Sequence, residues 1–523
     1  MEVRTLSQLA ANPTMIDALR ERLQAETGQP VSLVQTHISW VLLTDRLAYK
    51  LKKPVRLAFV DFSTLARRKH YCEEELRLNR RLAPSLYLGV VPVCGTVQAP
   101  RVDGAGEPID YLVCMRRFAP GALLGERLAA GTLLPEHLEG LARRMAAFHA
   151  HAAIALPEAA GDSTGRVLGP VLAVLRQLRL HCGAARIAAL ESWFIVQARA
   201  LGEVWSARRR DGHVRECHGD LHLSNAVMVD DQATAFDCIE FDPALRQIDV
   251  LSDIAFLTMD LKANGRPDLA FAFLDAYLQC SGDYPGVRVL RFYEAYRALV
   301  RALVDCLRPN VDEPAARSRE PDYLACAESI VAGAGSGPRL LITHGLSGSG
   351  KSTVARQLLQ AAGTIRLRSD VERKRLFGFA ALERSTGDAQ IYGPDATQRT
   401  FERLADCAQA ALRAGYPVII DAAFLRRAER DAFRALAAGL GVPFAILHCS
   451  ASEAHLRERV TARGASGDDP SEADLDVLER QIRFAEPMSD EERALAIEVA
   501  TDQPVDIAGL CERWLASTRS MHG

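Results

Sequence analysis

Eight consecutive residues carry the plainest chemistry in this chain: Gly345-Leu-Ser347-Gly348-Ser349-Gly350-Lys351-Ser352, with Thr353 following. Their spacing is GxxxxGK[ST], between an apolar strand, RLLITHG, and a helical stretch, KSTVARQLLQA. Glycines let successive backbone N–H groups curl around phosphate oxygens, and a helix N-terminus adds positive potential. Lys351 is then placed to bridge the β- and γ-phosphates of ATP, and the Ser352 hydroxyl to hold Mg2+. Asp421 closes the apolar run Pro417–Ile420, where a carboxylate can hold the same ion through water. A helix cap is the plainer use of such an aspartate.

A second constellation reads His218-Gly219-Asp220-Leu-His-Leu-Ser-Asn225, then Phe236-Asp237. Asp220 and Asn225 have the spacing of base and metal ligand in the protein-kinase loop HRDxxxxN, and Asp237 takes the place of the DFG aspartate. In that reading Asp220 orients and deprotonates an acceptor hydroxyl, while Asn225 and Asp237 hold magnesium on the triphosphate. Without a function the same residues would make an Asp/Asn-rich turn.

These residues resemble the aminoglycoside phosphotransferase and choline kinase family, which has the protein-kinase-like fold. The likeness runs over about residues 30–330. It reaches back to Leu47-Ala-Tyr-Lys50, matching the strand that supplies the phosphate-binding lysine, and to Glu75, matching its glutamate partner. It extends forward through Asp253-Ile-Ala-Phe256. No clear glycine-rich loop precedes Lys50, and Lys52 lies on the same strand face by period two, so either lysine can fill the role. The segment from about 339 to 523 resembles the small P-loop kinases that include zeta-toxin-like and polynucleotide-kinase-like proteins. That resemblance implies an acceptor base at Asp370, in Arg368-Ser-Asp370-Val-Glu-Arg373. It also implies lid arginines at Arg459 and Arg463, ahead of a polar stretch at 464–471. Helix caps and a solvated basic face are the plainer readings of these three residues.

The elements that position these groups divide at one place. Val331–Pro338, VAGAGSGP, has the composition of a linker, and suggests independent cores on either side. Before it, alternating apolar residues around Thr44-Asp45-Arg46 predict a hairpin. A helical stretch over 63–82 follows, with Leu65, Cys72, Leu76, Leu78 and Leu82 on an apolar face, and then further strands. From about Pro135 the chain turns helical, within a helical lobe over about 116–330 that is interrupted by a strand-rich island at 213–242. After the linker, short apolar strands alternate with helices, the pattern of βαβ units and a parallel sheet. The expected architecture is an α+β two-lobed domain over 1–330, with a small lobe to about 115. An α/β P-loop domain over 339–523 completes it.

Composition agrees and excludes alternatives. The chain has 523 residues, 48% hydrophobic and 25% charged, as in ordinary globular proteins. Its start lacks the apolar core of a signal peptide, and no run reaches the ~18 apolar residues of a membrane span. The 12 cysteines show no zinc spacing and read as reduced, which points to the cytoplasm. His149 and His151 are two apart and face different sides of a helix, so they make no metal pair. Asp249 and Asp253 read as caps and hydrogen-bond anchors. The implied partners are ATP, Mg2+ and a hydroxyl-bearing small molecule of unknown identity; oligomeric state is not encoded in any motif. A polynucleotide 5′-hydroxyl kinase in the second domain would need a basic, aromatic-lined groove. Only 6% of residues are aromatic and the net charge is −3. An ATP-binding regulator with one inactive head is the other alternative, and it would have no use for Asp220 or Asp370.

Overall fold

The computed structural model describes residues 13–57, 60–155, 163–307, 321–333, 337–385, 389–466 and 469–516. The chain forms two compact units, Met1–Pro157 with Arg209–Asp253, and Glu158–Arg208 with Ile254–Gly523.

The first unit is built on a six-stranded antiparallel sheet of order β1-β2-β3-β6-β4-β5. Its strands are β1 (Ser32–Gln35), β2 (Ser39–Leu43), β3 (Leu47–Lys52), β4 (Tyr87–Thr96), β5 (Ala99–Val102) and β6 (Pro108–Arg116). The β2–β3 hairpin turns at the predicted residues, where Thr44 Oγ1 accepts from the Leu47 N–H at 3.0 Å. Its register sets Val41 opposite Lys50 and Ser39 opposite Lys52. One sheet face buries Trp40, Leu42, Leu51 and Leu112 against Met15, Ile16, Leu19 and Leu23 of the Pro13–Thr27 helix. The other face receives the Leu65–Asn79 helix, whose N-cap Thr64 accepts from the Arg67 N–H. The predicted apolar face of this helix is only partly so. Cys72 and Leu78 are buried, but so are Arg68, Glu75 and Asn79, while Leu65 and Leu76 stay half-exposed. Those buried polar groups have partners: Arg68 pairs with Asp110 at 2.8 Å, and Asn79 Oδ1 accepts from the Cys238 N–H.

The strand-rich island forms, and a further short strand over 247–249 lies beyond its expected end at 242. The strands β7 (Val214–Glu216) and β10 (Gln247–Asp249) pair, and β8 (Ala226–Val229) forms a hairpin with β9 (Gln232–Ala235). Asn225 immediately precedes β8 and Asp237 follows β9, so the hairpin brings both to the same end.

The second unit combines long helices with a five-stranded sheet, order β12-β13-β11-β14-β15, in which every neighbouring pair is parallel. Its strands are β11 (Leu340–His344), β12 (Ile365–Arg368), β13 (Val418–Asp421), β14 (Phe444–Ser450) and β15 (Ala496–Ala500). β11 and β13 are buried throughout, as expected of central strands covered on both faces. Leu341, Ile419, Leu447, Leu358 and Trp514 form the core on one side.

At the predicted linker, the Tyr323–Ala332 helix ends on Gly333 in the left-handed region, and residues 334–336 lie outside the described residues. Packing nonetheless continues across it, contrary to the expectation of independent cores. The Pro267–Ser281 helix packs on the Lys351–Ala362 helix, and a Cβ at Gly363 would stand 2.9 Å from the Phe271 ring.

Candidate active sites

In the first unit, β3 sends Lys50 and Lys52 to the face that meets the Leu65–Asn79 helix. Glu75 lies between them. Its Oε1 is 2.9 Å from Lys50 Nζ and its Oε2 is 2.7 Å from Lys52 Nζ. Beyond Glu75 the two lysines diverge. Lys50 Nζ reaches Asp237 Oδ1 at 2.5 Å, whereas Lys52 pairs with Glu240 and is wholly buried. Burial alone would raise the Glu75 carboxyl, but Lys50 and Lys52 hold it at about 2. Against burial, Asp237 and Glu75 hold Lys50 well above its ordinary value. Glu240 goes the other way, since burial outweighs its lysine neighbours and raises its carboxyl. The lysine beside Asp237 is therefore Lys50, and Lys52 is locked beneath it.

The HGD loop is tied down on all sides. The Asp253 carboxylate accepts from the His218 N–H at 3.0 Å and the Gly219 N–H at 2.8 Å, and stands 3.0 Å from His149 Nε2. Burial opposes its charge, but His149 and those amides bring it down to about 2. Asp253 is thus a hydrogen-bond anchor and Asp249 caps the Leu251 N–H, as the sequence reading had it, while the pairing of His149 with Asp253 was not foreseen. Gly219 turns with φ +89°, where a Cβ would meet the Leu245 carbonyl at 2.8 Å. His218 Nε2 lies 2.8 Å from the Phe236 carbonyl, joining the loop to the strand before Asp237. Asp237 itself has φ 64°, a conformation aspartate tolerates better than most residues. Asn225 Nδ2 donates to Asp220 Oδ2 at 2.9 Å and to the Asp220 carbonyl at 3.0 Å. Lys50, Glu75, Asp220, Asn225 and Asp237 belong to one compact unit, and Asp220 and Asp237 each expose over a third of their side chains.

In the second unit, the loop from β11 to the Lys351–Ala362 helix is a close-packed turn. Gly345 has φ +142°, and a Cβ there would stand 2.3 Å from the Cys449 carbonyl. Lys351 Nζ is folded onto its own loop, 2.7 Å from the Leu346 carbonyl. Burial lowers its pKa. The Ser352 hydroxyl donates to Asp421 Oδ1 at 3.0 Å, while among the described residues none donates a hydrogen bond to the buried Asp421 Oδ2. Arg368 Nε lies 3.4 Å from that oxygen and Arg366 Nη1 3.6 Å.

A cavity of 1030 Å³ opens over this loop, lined by Lys351, Ser352, Asp370, Asp421, Arg459 and Arg463 among others. Asp370 sits in the first turn of the Ser369–Leu376 helix. Arg459 donates to Thr501 Oγ1 at 2.9 Å and to the Gly348 carbonyl at 3.3 Å, and Arg463 to the Ala473 carbonyl at 2.9 Å. The stretch expected as a lid, 464–471, lies partly outside the described residues. Sequence reasoning missed several residues here. Gln481 accepts from the Ser347 N–H at 2.8 Å, and Arg368 and Arg373 line the same cavity. Arg368 and Arg373 flank Asp370 in the quoted segment, so their spacing could have marked them; nothing local marks Gln481 or Glu240.

Comparison with known proteins places these two constellations in two families. Residues 44–293 match the model of the phosphotransferase enzyme family, and residues 340–488 match an AAA domain model. Uncharacterized proteins of Mycobacterium tuberculosis and Mycobacterium bovis are 30% identical over 453 residues, covering 85% of this chain and 88% of theirs. Among solved structures, a choline/ethanolamine kinase family protein from Mesorhizobium loti is 15% identical, covering 61% of this chain and 92% of its own, with TM-score 0.34. A gluconokinase from Sinorhizobium meliloti is 22% identical, covering 34% and 91%, with TM-score 0.25. Kinases of both families take ATP and a small-molecule acceptor. Among the described residues no helix is long and apolar enough to cross a membrane. This chain belongs to the family of the mycobacterial proteins, and it is a kinase in which a phosphotransferase-enzyme-family domain precedes a P-loop AAA-type domain.

Proposed function

We propose that the chain is a bifunctional, cytoplasmic phosphotransferase with one Mg·ATP site in residues 1–330 and another in 339–523. Each site moves the γ-phosphate of ATP to a hydroxyl of a small molecule. In the first, Asp220 takes the proton of the acceptor hydroxyl, Lys50 holds phosphate oxygens with Glu75 fixing its position, and Asn225 and Asp237 face the cation. In the second, the backbone of residues 345–353 and Lys351 cradle the phosphates, and Ser352 and Asp421 face the cation. There Asp370 takes the acceptor proton, and Arg459 and Arg463 offset charge on the moving phosphoryl group.

The observation that carries this reading is the Ser352 Oγ–Asp421 Oδ1 contact of 3.0 Å at the mouth of a loop whose Gly345 and Gly348 leave no room for a Cβ. Both donor sets suit magnesium: carboxylate, hydroxyl and amide oxygens are hard ligands, and Asp421 Oδ2 is buried without a hydrogen-bond donor among the described residues. When bound, the ion neutralises charge on the phosphates. The test is single-turnover release of γ-phosphate from labelled ATP across a panel of hydroxyl-bearing metabolites. Lys351→Ala should remove the turnover of one site, Asp220→Ala that of the other, and the double variant both. Turnover surviving in the double variant would refute the assignment.

A further inference from the structure

The Pro267–Ser281 helix precedes the glycine-rich linker, yet it meets β12 of the P-loop sheet through a buried ion pair. Asp275 Oδ2 accepts from Arg366 Nη2 at 2.7 Å and from Gln279 Nε2 at 2.6 Å, and Asp275 Oδ1 from Arg366 Nε at 3.3 Å. Both partners are more than nine-tenths buried. The remaining nitrogen, Arg366 Nη1, donates to the Ser352 carbonyl at 3.2 Å and lies 3.6 Å from Asp421 Oδ2. One guanidinium is therefore shared between a carboxylate upstream of the linker and the two residues assigned to the cation.

A guanidinium and a divalent cation compete for the same carboxylate oxygen. A buried arginine keeps its charge and must direct its donors at some acceptor. Asp275 engages it with two oxygens, which fixes the plane of the fork as well as balancing the charge. Were that carboxylate neutral, Asp421 would be the nearest remaining anion, and Arg366 would close onto Oδ2.

We propose that Asp275 is a positioning residue of the carboxyl-terminal phosphate site, holding Arg366 off Asp421 so that a carboxylate oxygen stays open to the cation. The proposal rests on the reading of Ser352 and Asp421 as the cation-facing pair. The same helix is held at a second point. Arg375 donates to the carbonyls of Gln279 and Cys280, Arg403 donates to that of Gly282, and the buried Glu372 bridges both arginines at 3.1 Å. Glu372 and Arg375 belong to the Ser369–Leu376 helix that carries Asp370. One helix from outside the P-loop segment thus braces both the cation side and the acceptor side of its site.

The test uses the full chain with Asp237→Ala, so that magnesium-dependent nucleotide binding reports the second site. A non-hydrolysable ATP analogue is titrated by calorimetry at graded free Mg2+. Asp275→Asn should raise the Mg2+ needed for half-maximal binding roughly tenfold, the scale typical of residues that orient metal ligands. Affinity without Mg2+ should change less than twofold. Asp275→Asn/Arg366→Gln removes the guanidinium that Asp275 restrains, while Arg368, 3.4 Å from Asp421 Oδ2, is common to every variant; it should return the Mg2+ requirement to within twofold of the parent, which a purely structural role would not do. An unchanged requirement in a folded Asp275→Asn chain overturns the proposal. So does a raised requirement in the double variant, which decides the matter if the single variant does not fold. If the parent shows no Mg2+-dependent binding that Lys351→Ala abolishes, the reading of the phosphate site falls as well.

Discussion

Replacing Lys50 and Lys52 with methionine, one at a time, should separate a nucleotide-facing lysine from a structural one two residues away. Lys52 Nζ is wholly buried between Glu75 and Glu240. Lys52→Met leaves Glu240 without its partner and Glu75 with Lys50 alone, and breaking one side of a buried ion pair costs about 3–5 kcal/mol. For a compact unit of this size that lowers the unfolding midpoint by roughly 10 °C. Lys50→Met leaves Lys52 still bound to both glutamates, so the stability loss should be about half as large or less. It removes instead the cation beside Asp237, and with it phosphate binding at the first site. Scanning calorimetry reads the first effect. ATP titration in a Lys351→Ala background, where only the first site binds, reads the second. A Lys52→Met chain that melts like the parent, or a Lys50→Met chain that binds ATP at parental affinity, would refute this division of labour.

The same cluster sets a pH dependence. The Glu75 carboxyl is held at about 2, below its ordinary 4.5, so its stabilisation is complete above 4.5 and lost as pH falls toward 2; acid melts of Glu75→Gln should flatten in that window. Gly345→Ala puts a methyl 2.3 Å from the Cys449 carbonyl at φ +142°, and should abolish ATP binding at the second site while leaving the first intact by calorimetry. Asp253→Asn weakens the anchor of the HGD loop and should lower kcat of the first site roughly 10–100-fold, with less than a threefold change in ATP affinity by titration.

What the sequence disclosed was local. The phosphate loop, the HGD loop, the hairpin at Thr44 and the strand ending at Asp421 each depend on residues within about ten positions of one another, and each formed as expected. What it concealed depends on distant partners. Period two places Lys50 and Lys52 on one face, but it takes Asp237, 187 residues from Lys50, and Glu240, 188 residues from Lys52, to distinguish them. The Leu65–Asn79 helix buries arginine, glutamate and asparagine because their partners come from β6, β3 and the segment after β9, which helical periodicity does not record. β15 escaped notice because four of its five residues are half-exposed or exposed at a sheet edge, so no apolar run marks them. The linker was read by composition, and composition says nothing about a helix that reaches past it.

That reach has a consequence in time. Asp275 and Arg366 are 91 residues apart. At the usual 5–20 residues per second, a ribosome completes Asp275 roughly 5–18 s before it reaches Arg366. Through that interval the growing chain carries a carboxylate and the Phe271 ring destined for burial, with neither the arginine nor Gly363 yet made. Nascent chains halted at the linker should therefore expose this helix to proteases and to apolar dyes, and lose that exposure once synthesis has passed β13 and the Pro394–Arg413 helix that brings Arg403. The order of synthesis makes the upstream helices wait for the downstream sheet, and a truncation at the linker would hold the protein permanently in that waiting state.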